Sequence, residues 1–276
     1  MRTIATLLRD ARAGGVDRLD AQWLLAELLG RSPAWLIAHD DQAPPPEVAD
    51  AFDAGWRRRA AGEPLAYVLG HWRFRGLRLA VSPAVLVPRP ETEVLVDWAL
   101  ACLAARDPGA SAPRVVDLGT GSGAIALAVA AAMPQARVRA TDRSEAALAQ
   151  ARRNAAAHGL NVSCHAGDWW AAVPGQVFDL ALANPPYIAP GDPHLAALAH
   201  EPASALCADD AGLADLRRIV AGAAGHLAAG AWLLLEHGHD QGQAVRALLA
   251  SAGFEQVATR QDLAGLDRCS GGRRPG

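Results

Sequence analysis

The chain has 276 residues, enough to bury more than one hydrophobic core, so a small accessory domain beside a larger one is expected. All of its basic residues are arginines and its formal net charge is −3, so it lacks the positive field that non-specific nucleic-acid binding uses. Four cysteines, at positions 102, 164, 207 and 269, lie far apart, which argues against a zinc site or a disulfide framework and favours reduced cytoplasmic thiols.

Residues 3 to about 70 have the apolar spacing of amphipathic helices, and together they predict a helical N-terminal domain over residues 1–71. Residues 1–15 carry three arginines like a targeting segment, but Asp10 and the lack of a long apolar stretch favour the first helix of the fold. The predicted helices are separated at Gly14-Gly15, Ser32-Pro33 and Pro44-Pro45-Pro46. Arg57-Arg58-Arg59 is interpreted as a solvated helix face, with partner contact left open. No run in the chain is apolar and long enough to span a membrane.

A hairpin is predicted after the helices, because residues 72–81 alternate between apolar and polar and Arg75-Gly76 suits the turn. Residues 72–88 are therefore expected to link the two domains. A helix over residues 94–104 then opens the second domain, residues 89–276.

A glycine-rich loop follows the next apolar strand directly, and an alanine-rich helix follows the loop, in the segment VVDLGTGSG at residues 115–123. The spacing is Gly-x-Gly-x-Gly, which differs from the dinucleotide pattern Gly-x-Gly-x-x-Gly. Closely spaced glycines let the backbone approach a ligand, and free N–H groups at a helix start favour a carboxylate. A lone glycine loop is a weak signal, so the acidic residues that follow matter.

Acidic residues come at the ends of the next two predicted strands. Asp142 ends the strand over residues 137–141, roughly 20 residues beyond the glycine loop, where an acid can bind ribose hydroxyls. Asp168 and Trp169 follow the short segment at residues 161–165. Each acid taken alone is more often a helix cap or a turn residue, so the argument depends on their joint occurrence at one sheet edge.

The segment Asn184-Pro185-Pro186-Tyr187 follows a buried strand at residues 178–183. The two prolines remove two N–H donors, which leaves the Pro185 carbonyl and the Asn184 side chain as acceptors beside a tyrosine ring. Two acceptors and an aromatic face suit a planar NH2 group, so the segment favours methylation of an amide or an exocyclic amine. A proline-rich turn without a function is the alternative for this segment taken alone.

Beyond Tyr187, a polar, proline-broken stretch to residue 202 is long enough for a lid or a peptide-binding loop. Helices are predicted over residues 215–227 and 241–252, and strands over 231–236 and 254–258. His237 and His239 form a His-x-His pair, but without a matching acidic or cysteine cluster a turn after the strand is favoured over a metal site.

Together these motifs resemble the class I S-adenosylmethionine-dependent methyltransferases of amino groups. More narrowly, the chain resembles the HemK/PrmC family, which methylates the glutamine of the Gly-Gly-Gln motif in peptide-chain release factors. The narrower resemblance rests on blocks that span nearly the whole chain, at residues 62–70 (GEPLAYVLG), 85–93 (VLVPRPETE), 192–195 (DPHL), 201–202 (EP) and 233–238 (LLLEHG). Residues 267–272 (DRCSGG) depart from the β-branched edge strand of that family, so a short or frayed last strand is expected.

The resemblance implies an α/β class I methyltransferase fold, Rossmann-like, with a mostly parallel seven-stranded sheet and a small N-terminal helical bundle that recognises the substrate. It implies S-adenosyl-L-methionine as cofactor, with no metal, and release factors as protein partners in the cytoplasm, without direct nucleic-acid contact or a membrane. The implied cofactor-binding residues are Gly119, Thr120, Gly121, Ser122, Gly123, Asp142, Asp168, Trp169 and Asn184. The implied catalytic residues are Asn184, Pro185 and Tyr187, and Pro186 joins them in binding the substrate. Glu236 and His237 match a block of the family that we interpret as structural.

Three alternatives stay open at this point. A sister family methylates a ribosomal-protein glutamine and shares the Asn-Pro-Pro-Tyr segment, although the block PRPETE at residues 88–93 favours release factors. A nucleic-acid adenine N6-methyltransferase would show salt-dependent DNA or RNA binding. A catalytically idle cofactor-binding partner protein is the third alternative, and the intact motif argues against it.

Overall fold

A computed structural model describes residues 2–107 and 109–276 of the chain. The chain divides into two compact units, one through His71 and one from Trp72 to Gly276, and the hairpin residues from Trp72 onward belong to the second. Among the described residues, none of the helices combines the length and the apolar character that a membrane crossing requires.

The first unit is built from five helices, as the apolar spacing predicts. They are α1 (Ile4–Ala13), α2 (Arg18–Leu29), α3 (Pro33–Ala38), α4 (Pro46–Ala60) and α5 (Leu65–Leu69). The side chains of Thr3, Asp17 and Ser32 each accept a backbone N–H at the start of α1, α2 and α3. The predicted breaks between the helices are confirmed, because the glycines and prolines end or begin helices where they occur.

The hairpin predicted after these helices consists of β1 (His71–Phe74) and β2 (Leu77–Ala80). Its turn residues Arg75 and Gly76 have φ values of 45° and 79°, the left-handed pair that a two-residue hairpin turn requires. The predicted turn position is therefore confirmed.

The core of the second unit is a seven-stranded sheet in the order β5-β4-β3-β6-β7-β9-β8, parallel except for β9. Its strands are β3 (Arg114–Leu118), β4 (Arg137–Asp142), β5 (Val162–Ala166), β6 (Phe178–Ala183), β7 (Leu227–Glu236), β8 (Glu255–Gln261) and β9 (Asp267–Arg273). The helices of this unit are α6 (Glu93–Ala104), α7 (Ala124–Ala132), α8 (Glu145–Ala157), α9 (Ala214–Ala223) and α10 (Gly242–Ser251).

Helices cover both faces of the sheet, and each face has its own hydrophobic core. The cluster on one face includes Trp98 of α6 and Val129 of α7, and the cluster on the other includes Ile219 of α9 and Val245 of α10. Parallel strands buried on both faces read as continuous apolar runs, as those of β3 and β6 do. The predicted class I methyltransferase fold is confirmed, and the strand order reverses between β3 and β6, where such sheets bind ligands.

The prediction of a short or frayed last strand at the sheet edge was wrong. β9 has seven residues and lies inside the sheet, between β7 and β8. A Cβ on Gly271 would lie 2.4 Å from Leu234 Cδ2, and a Cβ on Gly272 would lie 2.8 Å from the Phe254 side chain. The glycines are therefore required by close packing from both sides of an interior strand.

Two other boundaries differ from the sequence predictions. The helix predicted over residues 215–227 ends at Ala223, and the strand predicted from residue 231 begins at Leu227. The alanine-rich segment between them suits a helix and a strand equally, so local spacing does not locate the boundary. Pairing of Leu227 with Phe178 of β6 decides that the early part of the segment is a strand.

Candidate functional site

The largest part of the predicted site lies in one cavity of about 280 Å³ at the carboxyl ends of β3, β4 and β6. Strand register explains this, because pairing of Leu118 with Ala183 puts Gly119 and Asn184 at the same level of neighbouring strands. The predicted site residues that line the cavity are Gly119, Thr120, Gly121, Ser122, Asp142, Asp168, Trp169, Asn184 and Pro186. Gly123, Pro185 and Tyr187 are not among the lining residues.

The glycine loop has backbone conformations that favour glycine. Gly119, Gly121 and Gly123 have φ values of 75°, 55° and 86°, all in the left-handed region. The backbone N–H groups of Gly119 and Thr120 both donate to the Thr141 carbonyl, over 2.9 and 2.8 Å, so the loop is attached to the end of β4. Close approach matters as well, because a Cβ on Gly119 would lie 2.9 Å from the ring of Trp169.

Asp117 supports this loop from below, a role that the sequence interpretation missed. Its Oδ2 accepts from the Thr120 hydroxyl over 2.6 Å and from the Ala126 N–H of α7 over 3.2 Å. Its Oδ1 is buried without a hydrogen-bond partner, and burial raises the pKa of Asp117 to about 7. The available signal was an acidic residue within the apolar strand β3, where a charge needs a specific partner.

Asp142 lies at the end of β4 and bonds to two backbone groups. Its Oδ2 accepts from the Gly121 N–H over 3.0 Å, and its Oδ1 accepts from the Ser144 N–H over 2.8 Å. Asp142 is not the N-cap of α8. Ser144 is, because its hydroxyl accepts a hydrogen bond from the Ala147 N–H at the start of that helix. Asp142 therefore holds the glycine loop while it lines the cavity.

Asn154 of α8 is a second residue that sequence reasoning missed. Its buried side-chain amide donates to the Ser122 carbonyl over 2.8 Å and to the Ala80 carbonyl over 3.0 Å, and it accepts from the Ala80 N–H over 2.8 Å. One asparagine thereby joins the glycine loop to strand β2 of the hairpin. Nothing in its helical sequence context distinguishes it from a surface asparagine.

Asp168 and Trp169 form the third side of the cavity. The indole Nε1 of Trp169 donates to Asp215 Oδ1 over 3.0 Å, and Arg218 binds both Asp168 and Asp215. Trp169 has a φ of 49°, which is strained for a bulky residue and requires support from its surroundings. The two contacts to α9 supply that support and keep the indole against Gly119.

The two ends of the Asn-Pro-Pro-Tyr segment have different surroundings, because Asn184 lies at the cavity and Tyr187 does not. Asn184 is half-buried at the cavity and its Nδ2 donates to Thr92 Oγ1 over 3.3 Å. The Tyr187 backbone carbonyl accepts from Gln241 Nε2 over 3.0 Å, and the Tyr187 hydroxyl faces the buried carboxyl group of Glu236. Burial raises the pKa of Tyr187. Its phenol is therefore engaged behind the cavity wall.

The stretch after Tyr187 to residue 202, predicted as a lid or peptide-binding loop, contains the 3₁₀ helix Pro193–Leu198. Its end and the following 3₁₀ helix, Ala203–Ala205, form a wall of the cavity. Buried Glu201 attaches it to the PRPETE block, because its carboxylate binds the Arg89 guanidinium and accepts from the Val87 N–H over 3.1 Å. Arg143 also donates to the Ser204 carbonyl over 3.0 Å. Two sequence-distant segments thus meet over the cavity.

The His-x-His pair is part of a turn in the structure. The His237 ring bonds to the Gly238 carbonyl and to the Ser270 hydroxyl, each over 2.8 Å, and burial lowers its pKa. Across the described residues, no group of three or more histidine, cysteine, aspartate or glutamate side chains has a metal-binding arrangement.

Comparison with known proteins gives the family. Residues 1–70 match the model of the PrmC N-terminal domain, and residues 94–203 match that of the methyltransferase small domain. A 16S rRNA N2 G1207 methyltransferase of T. thermophilus, solved with AdoMet and guanosine, shares the fold with a TM-score of 0.54 at 19% identity. This comparison covers 74% of this chain and 49% of that one.

Two relatives are similar over nearly their whole length. The release factor glutamine methyltransferase of Bordetella pertussis is 52% identical, covering 97% of this chain and 99% of the relative. The release factor glutamine methyltransferase of Xylella fastidiosa strain Temecula1 is 51% identical, covering 95% of this chain and 94% of the relative. Identity at this level, over both units and the whole cavity, shows that the chain belongs to the release factor glutamine methyltransferase family.

Proposed function

We propose that the protein transfers a methyl group from S-adenosylmethionine to the side-chain amide nitrogen of the glutamine in the Gly-Gly-Gln motif of release factors. One observation carries the proposal, namely that the glycine loop at the end of β3 and Asn184 at the end of β6 share one cavity. The names of the relatives support the same substrate. The reaction belongs in the cytoplasm, where release factors act.

The residues around the cavity fit S-adenosylmethionine in shape and chemistry. Left-handed glycines leave the loop backbone open to close approach, and Asp142 offers carboxylate oxygens suited to ribose hydroxyls. The Trp169 indole supplies a flat apolar face beside them. We assign cofactor binding to Gly119, Thr120, Gly121, Ser122, Gly123, Asp142, Asp168, Trp169 and Asn184.

When bound, the sulfonium cofactor supplies a methyl group on a good leaving group. The task of the protein is then to align a weak nucleophile, the amide nitrogen, whose lone pair is delocalised into its carbonyl. Asn184 Oδ1 and the Pro185 carbonyl are the acceptors that we assign to the two N–H bonds of the substrate amide. Both bonds strengthen as the nitrogen becomes positive, so they stabilise the transition state more than the bound substrate. No strong general base is needed, because an N-protonated amide loses its proton readily.

Pro186 and Tyr187 complete the assigned substrate pocket in different ways. Pro186 lines the cavity directly. Tyr187 does not line the cavity, and its hydroxyl faces Glu236 while its carbonyl accepts from Gln241, so its contribution is the rigidity of the segment. We therefore assign to Tyr187 the support of the substrate-binding segment, and to Asn184 and Pro185 the hydrogen bonds to the substrate amide.

The first unit is proposed to recognise the protein substrate. A single glutamine side chain offers little surface, whereas a standard protein interface buries roughly 800 Å² per partner. Leu19 and Trp23, one turn apart on α2, are 63% and 48% exposed, and both are apolar. Such side chains on one helix face suit a partner protein.

The test is to incubate the protein with methyl-labelled S-adenosylmethionine and, separately, purified release factor, ribosomal proteins and DNA. Label is expected on release factor and is expected to disappear when its Gly-Gly-Gln glutamine is replaced by alanine. Label on a ribosomal protein or on DNA, with none on release factor, would contradict the proposal and favour one of the other amino-group substrates. A catalytically idle protein would label nothing.

A further inference from the structure

The orientation of the Asn184 amide decides whether the site can work. Its Nδ2 donates to Thr92 Oγ1 over 3.3 Å, which leaves Oδ1 as the acceptor that Asn184 can offer at the cavity. A rotated amide would present its NH2 group to the NH2 group of the substrate, and two donors do not bind each other. Something must therefore hold the amide in the productive orientation.

Thr92 alone does not choose the orientation, because a hydroxyl can donate as well as accept. The buried Glu236 carboxyl group removes that ambiguity. Pairing of Ala183 with Leu235 brings Glu236, the last residue of β7, level with Asn184, which directly follows the neighbouring strand β6. Glu236 is 1% exposed, and the hydroxyls of Thr92 and Tyr187 face its carboxyl group and favour its ionised form. A carboxylate only accepts, so it favours the Thr92 hydroxyl with its single proton directed toward Glu236, and that hydroxyl then accepts from Asn184.

We propose that Glu236 is a positioning residue for methyl transfer, which fixes the polarity of the Thr92 hydroxyl and so presents Asn184 Oδ1 to the substrate amide. The inference rests on the proposed function, since it concerns the same acceptor. The Tyr187 hydroxyl also faces Glu236, so one carboxylate acts on Tyr187 directly and on Asn184 through Thr92.

Charges around Glu236 come from three elements. Arg268 on β9 favours its ionised form, Glu91 in the PRPETE block opposes it, and Cys269 on β9 and Tyr187 also face it. Arg268 is itself bound to Asp262 over 3.0 Å, which places that guanidinium. Glu236 Oε2 has no hydrogen-bond partner, and burial raises the pKa of Glu236 to about 7.

The consequence is a pH dependence with a definite sign. Below about pH 7 Glu236 takes up a proton and becomes a donor to Thr92, so that the Thr92 hydroxyl is free to donate to Asn184 and the amide to rotate. Turnover is therefore expected to fall as the pH drops through 7, while cofactor affinity stays constant.

The experiment compares Glu236→Gln, Thr92→Val and Thr92→Ser with the wild type, using labelled methyl transfer to intact release factor at several pH values. Glutamine can donate or accept, and valine removes the hydroxyl, so both changes should lower kcat at least about tenfold at pH 8. Thr92→Ser keeps the hydroxyl and should restore turnover to within about threefold. S-adenosylmethionine affinity, measured by calorimetry, should change less than about twofold in all three.

The pH profile separates positioning from general support of the fold. The acid limb of kcat near pH 7 should be present in the wild type and absent in Glu236→Gln. Asp179→Asn, at the opposite end of the sheet where Asp179 binds Arg114, is the control and should keep the wild-type profile. If Glu236→Gln does not fold, the comparison of Thr92→Val with Thr92→Ser decides.

Full kcat in Glu236→Gln or Thr92→Val, or an unchanged acid limb in Glu236→Gln, would overturn the role of Glu236. A wild-type protein that labels no release factor would instead reject the proposed function. In that case the same variants are compared on whichever substrate is labelled.

Discussion

Asp142 Oδ2 accepts a hydrogen bond from the Gly121 N–H over 3.0 Å, and this bond joins the end of β4 to the middle of the glycine loop. The other oxygen of the same carboxylate accepts from the Ser144 N–H, just before α8. Asp142 also lines the cavity. One side chain thus holds the glycine loop in place, and we propose that the same side chain and the loop bind the cofactor together.

Asp142→Ala is expected to weaken S-adenosylmethionine binding at least about tenfold, because charge-assisted hydrogen bonds contribute roughly 1.5–3 kcal/mol each. Asp142→Asn keeps one oxygen acceptor and should lose less. Calorimetry measures both affinities, and hydrogen exchange at Gly121 should speed up in the alanine variant. Parent-like affinity in both variants would show that Asp142 serves only the loop backbone.

Asn184→Ala should keep cofactor affinity within a few fold and lower turnover by about 10²–10³, the usual cost of removing one transition-state hydrogen-bond partner. Asn184→Asp keeps Oδ1 as an acceptor but removes the donor to Thr92 and adds a negative charge, so it tests whether an acceptor alone suffices. Calorimetry combined with a turnover assay separates the two effects. Unchanged turnover in the alanine variant would remove Asn184 from the proposed mechanism.

Trp23→Ser should raise KM for intact release factor at least about fivefold, since truncation of an interface aromatic side chain typically costs more than 1 kcal/mol. KM for a short Gly-Gly-Gln peptide should not change, because the peptide reaches only the cavity. Val177→Ser, an exposed apolar position just before β6, is the matched control. Equal losses on both substrates would contradict a recognition role for the α2 face.

The free energy of unfolding should depend on pH because Asp117 is buried with a raised pKa. Its folded pKa of about 7 lies above the ordinary carboxyl value of 3.8, so its contribution to stability is complete below pH 4 and is lost as the pH rises through 7. Relative to the wild type, Asp117→Asn should therefore gain stability between about pH 4 and pH 7, by up to about 1.4 kcal/mol per pH unit. Urea unfolding of both proteins across this range measures the difference, and a constant difference would contradict it.

Gly271→Ala should destabilise the protein by about 1–3 kcal/mol, because its Cβ would lie 2.4 Å from Leu234 Cδ2 and 2.9 Å from the Leu233 carbonyl. Gly225→Ala is the matched control, since the nearest atom to its Cβ is the Gly222 carbonyl oxygen at 3.8 Å. Thermal unfolding of both variants is the measurement. Equal melting temperatures would show that β9 can shift to make room.

Much of this architecture follows from local sequence. Glycines with positive φ, prolines at helix starts and capping side chains act within a few residues, so the helices of the first unit and the turn at Arg75-Gly76 were predictable. The glycine loop and the Asn-Pro-Pro-Tyr segment were equally clear. Both follow buried strands directly, and parallel strands place their carboxyl ends at one edge.

Only the tertiary structure decided which distant groups meet. Thr92 and Asn184 are 92 positions apart, and the direction of Tyr187 depends on Glu236 and Arg268 from two other strands. The interior place of β9 likewise depends on how Leu234 and Phe254 pack against its glycines. Local spacing carries no information about such pairings, because they depend on the volumes and hydrogen-bonding needs of side chains that only the folded sheet brings together.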